Sequence, residues 1–183
     1  MDEIAFEEFP KIPRLRRDCI ITEKLDGTNA QVLVPEDGGP LLVGSRSRWI
    51  TPGKTTDNCG FAQWVADHEA EIRTLGPGRH FGEWWGAGIQ RRYGLAEKRW
   101  SLFNTTRWSQ PDVVLPACVS LVPVLYAGRF SDNAVAEALD VLRASGSVAA
   151  PGFMQPEGVF VFLAASRSLF KVTLGDYGAK GAG

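Results

Sequence analysis

Residues 20–34 constrain the fold more than any other stretch, because two runs of strand-forming residues flank a short polar turn. The runs at 20–22 and 32–34 consist of apolar and β-branched residues. Asp26-Gly27 between them is a strong signal for a tight turn, so we expect a β-hairpin. The turn also carries more polar side chains than a plain hairpin requires, namely Glu23, Lys24, Thr28 and Asn29. This stretch alone favours a structural turn and a functional turn equally.

The length of 183 residues fits one compact domain, which at this size can bury a sufficient core without disulfides. The formal net charge of −1 does not by itself indicate a protein that binds nucleic acid. Basic residues nevertheless cluster at 11–17 and 91–99, and such patches can contact phosphates. We therefore expect a single domain over residues 1–183, with no appended C-terminal domain.

Cysteine and histidine offer little material for a metal centre. The three cysteines, at 19, 59 and 118, lie far apart in the sequence and match no metal-ligand spacing. The only histidines, His68 and His80, are also distant from one another in sequence. No apolar run approaches the ~20 residues that span a bilayer, and the acidic N-terminus is unlike a signal peptide. We expect a soluble, cytoplasmic protein with no membrane partner.

The rest of the pattern predicts an α+β fold of antiparallel sheets flanked by a few helices. Apolar residues at helical spacing predict helices over 61–75 and 132–144, the second capped by Ser131 or Asp132. His68 falls on the apolar face of the first helix, where a packed or hydrogen-bonded histidine is expected. Further strands are predicted at 41–44, 100–104, 119–126, 157–163 and 168–174, the last two as a hairpin. Pro123 indicates a sheet edge or a strand end.

Residues 24–29, Lys-Leu-Asp-Gly-Thr-Asn, resemble the first motif of the covalent nucleotidyltransferases, a superfamily that includes polynucleotide ligases and mRNA capping enzymes. Segments similar to its other motifs follow in the same order: Ser45-Arg46, Gly82-Glu83-Trp84-Trp85-Gly86, Leu102-Phe103-Asn104, Glu157-Gly158-Val159 and Phe170-Lys171-Val172-Thr173. Within the superfamily, Asn29 and the run 86–90 resemble the RNA ligase 2 group. The resemblance covers nearly the whole chain and implies a ligase adenylation domain.

The resemblance implies an ATP-dependent RNA ligase-like enzyme that joins 5′-phosphate and 3′-hydroxyl ends. Lys24 would carry AMP covalently. A lysine amine attacks phosphorus only when deprotonated, so it needs cationic groups or a metal nearby. ATP and Mg²⁺ or Mn²⁺ are the implied cofactors, and RNA, as free ends or a nicked duplex, is the implied partner.

The resemblance also assigns roles to the other motif residues. Glu83, Glu157 and Lys171 would act beside Lys24, with Glu157 on the metal, directly or through water, and Lys171 on the AMP phosphate. Glu23 would contact the adenine amino group, and Phe103 would stack on the adenine. Asp26 and Glu83 would hold the ribose or the metal-bound site. Asn29 would hold the phosphate or its metal-bound water, and Arg46 would contact the ribose or phosphate. Without the other motifs, Glu83 is better interpreted as an ordinary strand-end carboxylate and Phe103 as a core residue.

Two departures from the family pattern keep alternatives open. The last motif usually pairs two lysines two residues apart, and here Leu169 or Thr173 takes one place. Related ligases also carry a C-terminal domain that these 183 residues do not contain, so a protein partner that replaces it is a further expectation. The alternatives are a non-catalytic module that binds nucleotides or RNA ends, an enzyme that adenylylates another substrate, and a small DNA nick ligase.

Overall fold

The computed structural model describes residues 7–12 and 17–179, with side chains through residue 176. Arg14 and Arg16, which belong to the basic cluster at 11–17, lie outside the described residues. The strands are β1 Asp18–Lys24, β2 Thr28–Val34, β3 Leu42–Gly44, β4 Trp49–Ile50, β5 Gly78–Gly86, β6 Lys98–Leu102, β7 Val119–Leu121, β8 Val124–Arg129, β9 Gly158–Leu163 and β10 Ser168–Thr173. The helices are α1 Phe61–Asp67, α2 Glu69–Arg73, α3 Thr105–Trp108, α4 Asp132–Ser145 and α5 Leu174–Ala179.

The strands form two sheets, which confirms the predicted α+β class. The four-stranded sheet has the order β10-β9-β1-β8 and is antiparallel throughout. The six-stranded sheet has the order β4-β3-β2-β5-β6-β7 and is antiparallel except for the β6–β7 pair, which is parallel. The predicted hairpin near the C-terminus is present as β9 and β10.

The predicted hairpin of residues 20–34 is wrong, because its two strands belong to different sheets. β1 pairs with β8 and β9, whereas β2 pairs with β3 and β5. A two-residue type I′ turn needs positive φ at both central residues, and neither Asp26 nor Gly27 has a positive φ. Residues 25–27, here called the crossover turn, instead carry the chain from one sheet to the other.

Gly27 is required in the crossover turn because the turn passes close to β5. A β-carbon built on Gly27 would overlap the carbonyl oxygen of Trp84 and lie 2.7 Å from Cβ of Trp85. Both tryptophans are buried at 1% exposure, so neither can move aside without disturbing the core. Absence of a side chain, rather than a turn conformation, explains glycine at this position.

Gly27→Ala is therefore expected to lower the free energy of unfolding by about 1–3 kcal/mol or more, since the added methyl overpacks a rigid region. Urea unfolding measures this, and Gly175→Ala is the matched control, because its β-carbon would come no closer than 3.9 Å to Thr173. Equal midpoints for the two variants would show that the turn has room for a side chain.

Period-two alternation separates the two faces of the four-stranded sheet. Cys19 and Ile21 of β1 join the apolar stripe of α4 in one core, whose buried members also include Val159 and Val161 of β9. The six-stranded sheet packs one face on α1 and α2, around Phe61, Trp84 and Trp100. The remaining faces of both sheets contribute to the cavity described below.

The predicted helix over 61–75 is split into α1 and α2 at His68, whose φ of −115° lies outside helical values. The His68 ring stacks on Trp64 with centroids 4.7 Å apart, and its Nδ1 lies 2.8 Å from the Trp64 carbonyl oxygen. The second predicted helix is α4, and Ser131 caps it by accepting from the amide of Ala134 at 3.1 Å. No helix within the described residues is long and apolar enough to cross a membrane.

The predicted strand over 119–126 is divided between the two sheets. It breaks at Val122-Pro123, after which the chain continues as β8 in the four-stranded sheet. Pro123 has no amide hydrogen to donate to a ladder, and its carbonyl oxygen accepts from the amide of Glu23 at 2.9 Å. The proline thus marks a strand end, one of its two predicted meanings.

Candidate active site

A cavity of about 910 Å³, here called the intersheet cavity, lies where the chain crosses between the sheets. The four-stranded sheet contributes alternate residues of β1, β9 and β10, as period-two alternation requires. The lining residues from this sheet are Ile20, Thr22, Lys24, Phe160, Phe162, Leu169 and Lys171. The opposite wall includes Gly27, Thr28, Asn29, Arg46, Glu83 and Phe103. Six of the predicted site residues therefore line one cavity.

Lys24 is the last residue of β1 and forms an ion pair at the cavity wall. Its Nζ donates to Oε2 of Glu157, which precedes β9 and lies beside Lys24 because Lys24 pairs with Gly158 across the strands. The two side chains are only 14% and 18% exposed. Nζ also lies 5.3 Å from the ring centroid of Phe160. A potential nucleophile is thus held in a fixed position, with a carboxylate in direct contact.

Glu83 of β5 connects the crossover turn to β2. Its Oε1 accepts from the amide of Gly27 at 3.0 Å, and its Oε2 accepts from Nδ2 of Asn29 at 3.0 Å. Asn29 lies directly opposite Glu83 in the β2–β5 register. Burial raises the pKa of Glu83 to about 7, although the two hydrogen bonds and the charge of Lys24 partly oppose this shift. Glu83 therefore changes charge near neutral pH.

Three other predicted residues face the cavity without being fixed by ion pairs. Arg46 lies in the exposed loop between β3 and β4, and Lys171 lies on β10. Neither cation has a hydrogen-bond or ion-pair partner among the described residues. Phe103 is half-buried beside the cluster that contains Leu25 and Val122. The site thus offers two uncommitted cations and one aromatic ring.

The register at β10 bears on the missing lysine of the last motif. Leu169 and Lys171 both line the cavity. Thr173 instead accepts from the amide of Asp176 at 3.1 Å and donates to its carboxylate at 2.7 Å, at the start of α5. The cavity-facing neighbour of Lys171 is therefore an apolar leucine.

A family model described as RNA ligase matches residues 17–173. The chain belongs to the RNA ligase family. A search of curated proteins gave no match.

Solved structures of an RNA ligase from Naegleria gruberi have a similar fold. They include a mutant without ligand (TM-score 0.62, 18% identity), a mutant with ATP and Mn (0.61, 19%) and a mutant with AMP and Mn (0.58, 16%). Each match covers 90% of this chain and 51–52% of the other, so the chain spans about half their length. At this identity the likeness establishes the fold, which is that of a ligase nucleotidyltransferase-type domain.

The structure does not bring the side chain of Glu23 into the intersheet cavity of this RNA ligase family member. Alternation along β1 turns Glu23 to the face opposite Lys24, where it is 0% exposed. Its Oε2 accepts from the amides of Val148 and Ala149 at 2.9 and 3.0 Å. Its Oε1 has no hydrogen-bond partner among the described residues, and burial raises the pKa of Glu23. A contact between Glu23 and adenine stays a prediction.

Glu23→Ala is expected to lower the free energy of unfolding by about 2–4 kcal/mol, because it leaves two amides without their acceptor and opens a cavity. Glu23→Gln keeps a carbonyl oxygen for both amides and is expected to cost no more than about 1 kcal/mol. Urea unfolding near neutral pH compares the two. Equal losses would show that the charge, rather than the two hydrogen bonds, stabilises this region.

Arg91 and Tyr93 support the site but were not among the predicted site residues. Nε of Arg91 donates to Oδ2 of Asp26 at 2.8 Å, and its Nη1 donates to the carbonyl oxygen of Gln155 at 3.1 Å. The buried hydroxyl of Tyr93 accepts from the amide of Asp26 at 2.7 Å, and its ring packs against Trp85 and Phe153. The loop that follows β5 thus holds the crossover turn from one side.

The backbone of this loop is strained. Positive φ angles occur at Gln90, Arg92 and Tyr93, where non-glycine residues rarely adopt them. Such strain persists only where the surroundings impose it, and it often marks functional segments. From sequence, three glycines within residues 86–94 indicate such a loop, but the basic residues there resembled a surface patch. Asp26 contacts this loop and is not one of the residues that line the cavity.

Proposed function

We propose that this domain forms a covalent adduct between Lys24 and AMP and passes the AMP to the 5′-phosphate end of RNA for sealing. The observation that carries the proposal is the placement of the Lys24 amine at the wall of a nucleotide-sized cavity, in contact with Glu157. Arg46 and Lys171 supply positive charge on the same cavity. Phosphoryl transfer depends mainly on such positioning and charge neutralisation.

The first step would join Nζ of Lys24 to the α-phosphorus of ATP. The bond between the α-phosphorus and its bridging oxygen breaks, and pyrophosphate leaves with the bonding electrons. The ammonium must lose a proton before it attacks, and Glu157 Oε2 is the acceptor already in contact with it. Within the described residues, no other carboxylate is hydrogen-bonded to Lys24.

The following two steps would move AMP and then release it. An oxygen of the RNA 5′-phosphate attacks the phosphorus of the adduct, the N–P bond breaks, and Lys24 regains its proton. The 3′-hydroxyl oxygen of the second RNA end then attacks the activated 5′-phosphorus and loses its proton to water. AMP leaves, and a phosphodiester joins the two ends.

The cavity walls suit a nucleotide in the proposed orientation. Phe103 offers a ring for stacking on adenine, a contact worth about 1–3 kcal/mol. Lys171 and Arg46 would neutralise the phosphates, and Asn29 with Glu83 would position the ribose or phosphate. Because Leu169 is apolar, Lys171 is the only cation that β10 contributes to the cavity wall. We therefore expect the cavity to bind the phosphates of ATP weakly.

The residues present fit a divalent ion that is held mainly by substrate phosphates. The described residues contain no group of three or more His, Cys, Asp or Glu side chains arranged to hold a metal alone. Mg²⁺ is commonly bound by one or two carboxylates together with substrate phosphates and water. Glu157 would supply the carboxylate beside Lys24, with Glu83 further along the wall. When bound, Mg²⁺ or Mn²⁺ would neutralise charge on the phosphates.

Sealing is tested by incubating the protein with ATP, Mg²⁺ and a nicked RNA duplex that carries a labelled 5′-phosphate. We expect an AMP-capped strand and then a sealed strand, and the same nick in an RNA–DNA hybrid and in DNA identifies the preferred substrate. Preference for the DNA nick would favour the nick-ligase alternative. Absence of both products on every nick, despite an adduct on the protein, would overturn sealing and leave adenylylation of another substrate.

A non-catalytic binding module is the second candidate, favoured by Leu169 in the cavity beside Lys171. Such a module would bind ATP reversibly, which calorimetry measures directly. Binding without any covalent adduct would support it and contradict our proposal. A protein partner that supplies additional RNA contacts, and a cytoplasmic location, stay predictions.

A further inference from the structure

We propose that one exposed face of the six-stranded sheet binds an RNA strand and leads it to the intersheet cavity. This aromatic face consists of Gln31, Trp49, Arg79 and Phe81, none of which the family resemblance assigns to a role. The inference rests on the proposed RNA-sealing function and names the surface that would grip the substrate.

The register places these side chains on one surface across four strands. Phe81 on β5 pairs with Gln31 on β2, Gln31 pairs with Gly44 on β3, and Gly44 pairs with Trp49 on β4. Neighbouring strands lie about 4.8 Å apart, so the strand positions of Phe81 and Trp49 are separated by about 14 Å. The opposite face of these strands is buried on α1 and α2, which leaves this face open.

The two aromatic side chains are unusually exposed for their size. Trp49 is 48% exposed and Phe81 is 50% exposed, whereas Trp84, Trp85 and Trp100 are at most 1% exposed. Open sheets that present aromatic rings are a common way of stacking the bases of single-stranded RNA. Exposed rings of this kind have no role in the core of the sheet.

The side chains on this face are mutually oriented rather than independent. The guanidinium of Arg79 lies 5.2 Å from the ring centroid of Trp49, and its Nη1 donates to Oε1 of Gln31 at 2.7 Å. A β-carbon on Gly44 would lie 2.9 Å from Gln31 and 3.1 Å from the Trp49 ring, so the absence of a side chain there lets the ring lie flat across the strand. Preorganised rings lose less conformational entropy when a base stacks on them.

Charge on and beside this face favours an anionic partner. Arg46, Arg48 and Arg79 are exposed, and none forms an ion pair with a carboxylate among the described residues. The acidic residue nearest to Phe81 in sequence is Glu83, which is buried at 7% exposure and accepts from Gly27 and Asn29. Glu36 and Asp37 lie in the loop that joins β2 to β3. Three unneutralised guanidinium groups around two exposed rings match phosphates and bases together.

The aromatic face is continuous with the intersheet cavity. The amide of Phe103, which lines the cavity, donates to the carbonyl oxygen of Phe81 at 3.0 Å. Arg46, which also lines the cavity, lies in the loop between β3 and β4. A strand stacked on Phe81 and Trp49 would therefore have its end within reach of the site that contains Lys24.

The test compares wild-type protein with the Trp49→Ala, Phe81→Ala double variant by fluorescence anisotropy of a labelled, 5′-phosphorylated single-stranded RNA. We expect binding to be weaker by about 30-fold or more for the double variant, since two stacking contacts of about 1–3 kcal/mol each are lost. The matched control is Phe130→Ala, a 40% exposed aromatic outside this face, and it should bind normally. Trp49→Phe keeps a ring and should retain most of the affinity.

Arg79→Gln, compared with Arg143→Gln on α4, is expected to weaken RNA binding and reduce its dependence on salt concentration, because one phosphate contact is removed. Unchanged RNA affinity in the double variant would overturn the proposal. A change in oligomeric state together with unchanged RNA affinity would also overturn it and assign the face to a second copy.

Labelling with ATP separates this inference from the proposed function. The double variant should still take AMP onto Lys24, because its substituted side chains do not line the cavity. If wild-type protein binds RNA through this face but takes no AMP, the proposed function fails and the surface stands. If wild-type protein takes AMP but the double variant binds RNA as tightly as wild type, the RNA-binding surface is wrong and the proposed function is unaffected.

Discussion

Lys24→Arg is expected to reduce AMP transfer to the protein by more than about a thousand-fold, as removal of a catalytic nucleophile commonly does. Arginine keeps the positive charge and can still pair with Glu157, so the wall of the cavity should stay intact. A guanidinium is not deprotonated in proteins and therefore cannot attack the α-phosphorus. Labelling with ATP that carries the label in its α-phosphate measures the transfer.

The control for Lys24→Arg is Lys98→Arg, which changes an exposed lysine that donates to the Cys59 carbonyl oxygen. This control should label as wild type does. Thermal unfolding of both variants should remain near that of wild type, since the charge is unchanged in each. Labelling of Lys24→Arg at the wild-type rate would show that another group carries AMP.

Glu83→Gln is expected to abolish most activity while stabilising the protein above neutral pH. Burial raises the pKa of Glu83 from 4.5 to about 7, so ionising this carboxylate costs free energy in the folded state. The difference corresponds to about 3 kcal/mol at full ionisation. Glutamine has no charge to desolvate, and its carbonyl oxygen can still accept from the amide of Gly27.

The direction of the pH dependence follows from proton binding. Between pH 4.5 and about 7 the folded protein holds a proton on Glu83 that the unfolded chain has lost. The stabilising contribution of Glu83 is therefore full below pH 4.5 and is lost as the pH rises through about 7. The rate of adenylylation should instead rise as the pH rises through about 7, because the proposed role of Glu83 at the ribose or metal requires the carboxylate.

Unfolding by urea at several pH values, in parallel with adenylylation rates, measures both effects. The difference in unfolding free energy between Glu83→Gln and wild type should grow across this range by up to about 3 kcal/mol. Because Glu23 is also buried and is present in both proteins, taking the difference isolates Glu83. A difference that is constant with pH would contradict the raised pKa of Glu83.

The sequence was sufficient for the fold class and for six of the residues that line the cavity, because both depend on local pattern. The ordered motifs placed Lys24, Glu83 and Lys171 on strands, and alternation along β1, β5 and β10 turns their side chains toward one cavity. Short segments encode which side chains share a face of a strand. They do not encode which strand lies beside them.

Strand partners account for the main error in the fold. Asp26-Gly27 is a local hairpin signal, but β1 pairs with β8 and β9, which are distant in sequence. β2 pairs with β3 and with the distant β5, and not with β1. Gly27 is explained by the close approach of Trp84, which no turn statistic contains. Tertiary packing overrode the local preference here.

Residue roles that depend on tertiary neighbours could not be predicted from the sequence either. Adjacent positions 23 and 24 were both predicted to contact the nucleotide, yet their side chains point to opposite faces of β1. In the sequence, Arg91 resembles surface charge, whereas in the structure its Nε donates to Oδ2 of Asp26 at 2.8 Å. These assignments require knowing which loops pack on the crossover turn.

The most direct test of the account is to incubate wild-type protein with ATP and Mg²⁺, denature it, and locate any adenylyl group by peptide mass spectrometry. We predict one adenylyl group, attached to Lys24 through an acid-labile phosphoramide bond, and its loss from the protein when 5′-phosphorylated RNA is added before denaturation. Absence of an adduct, or an adduct on a residue other than Lys24, would contradict the account.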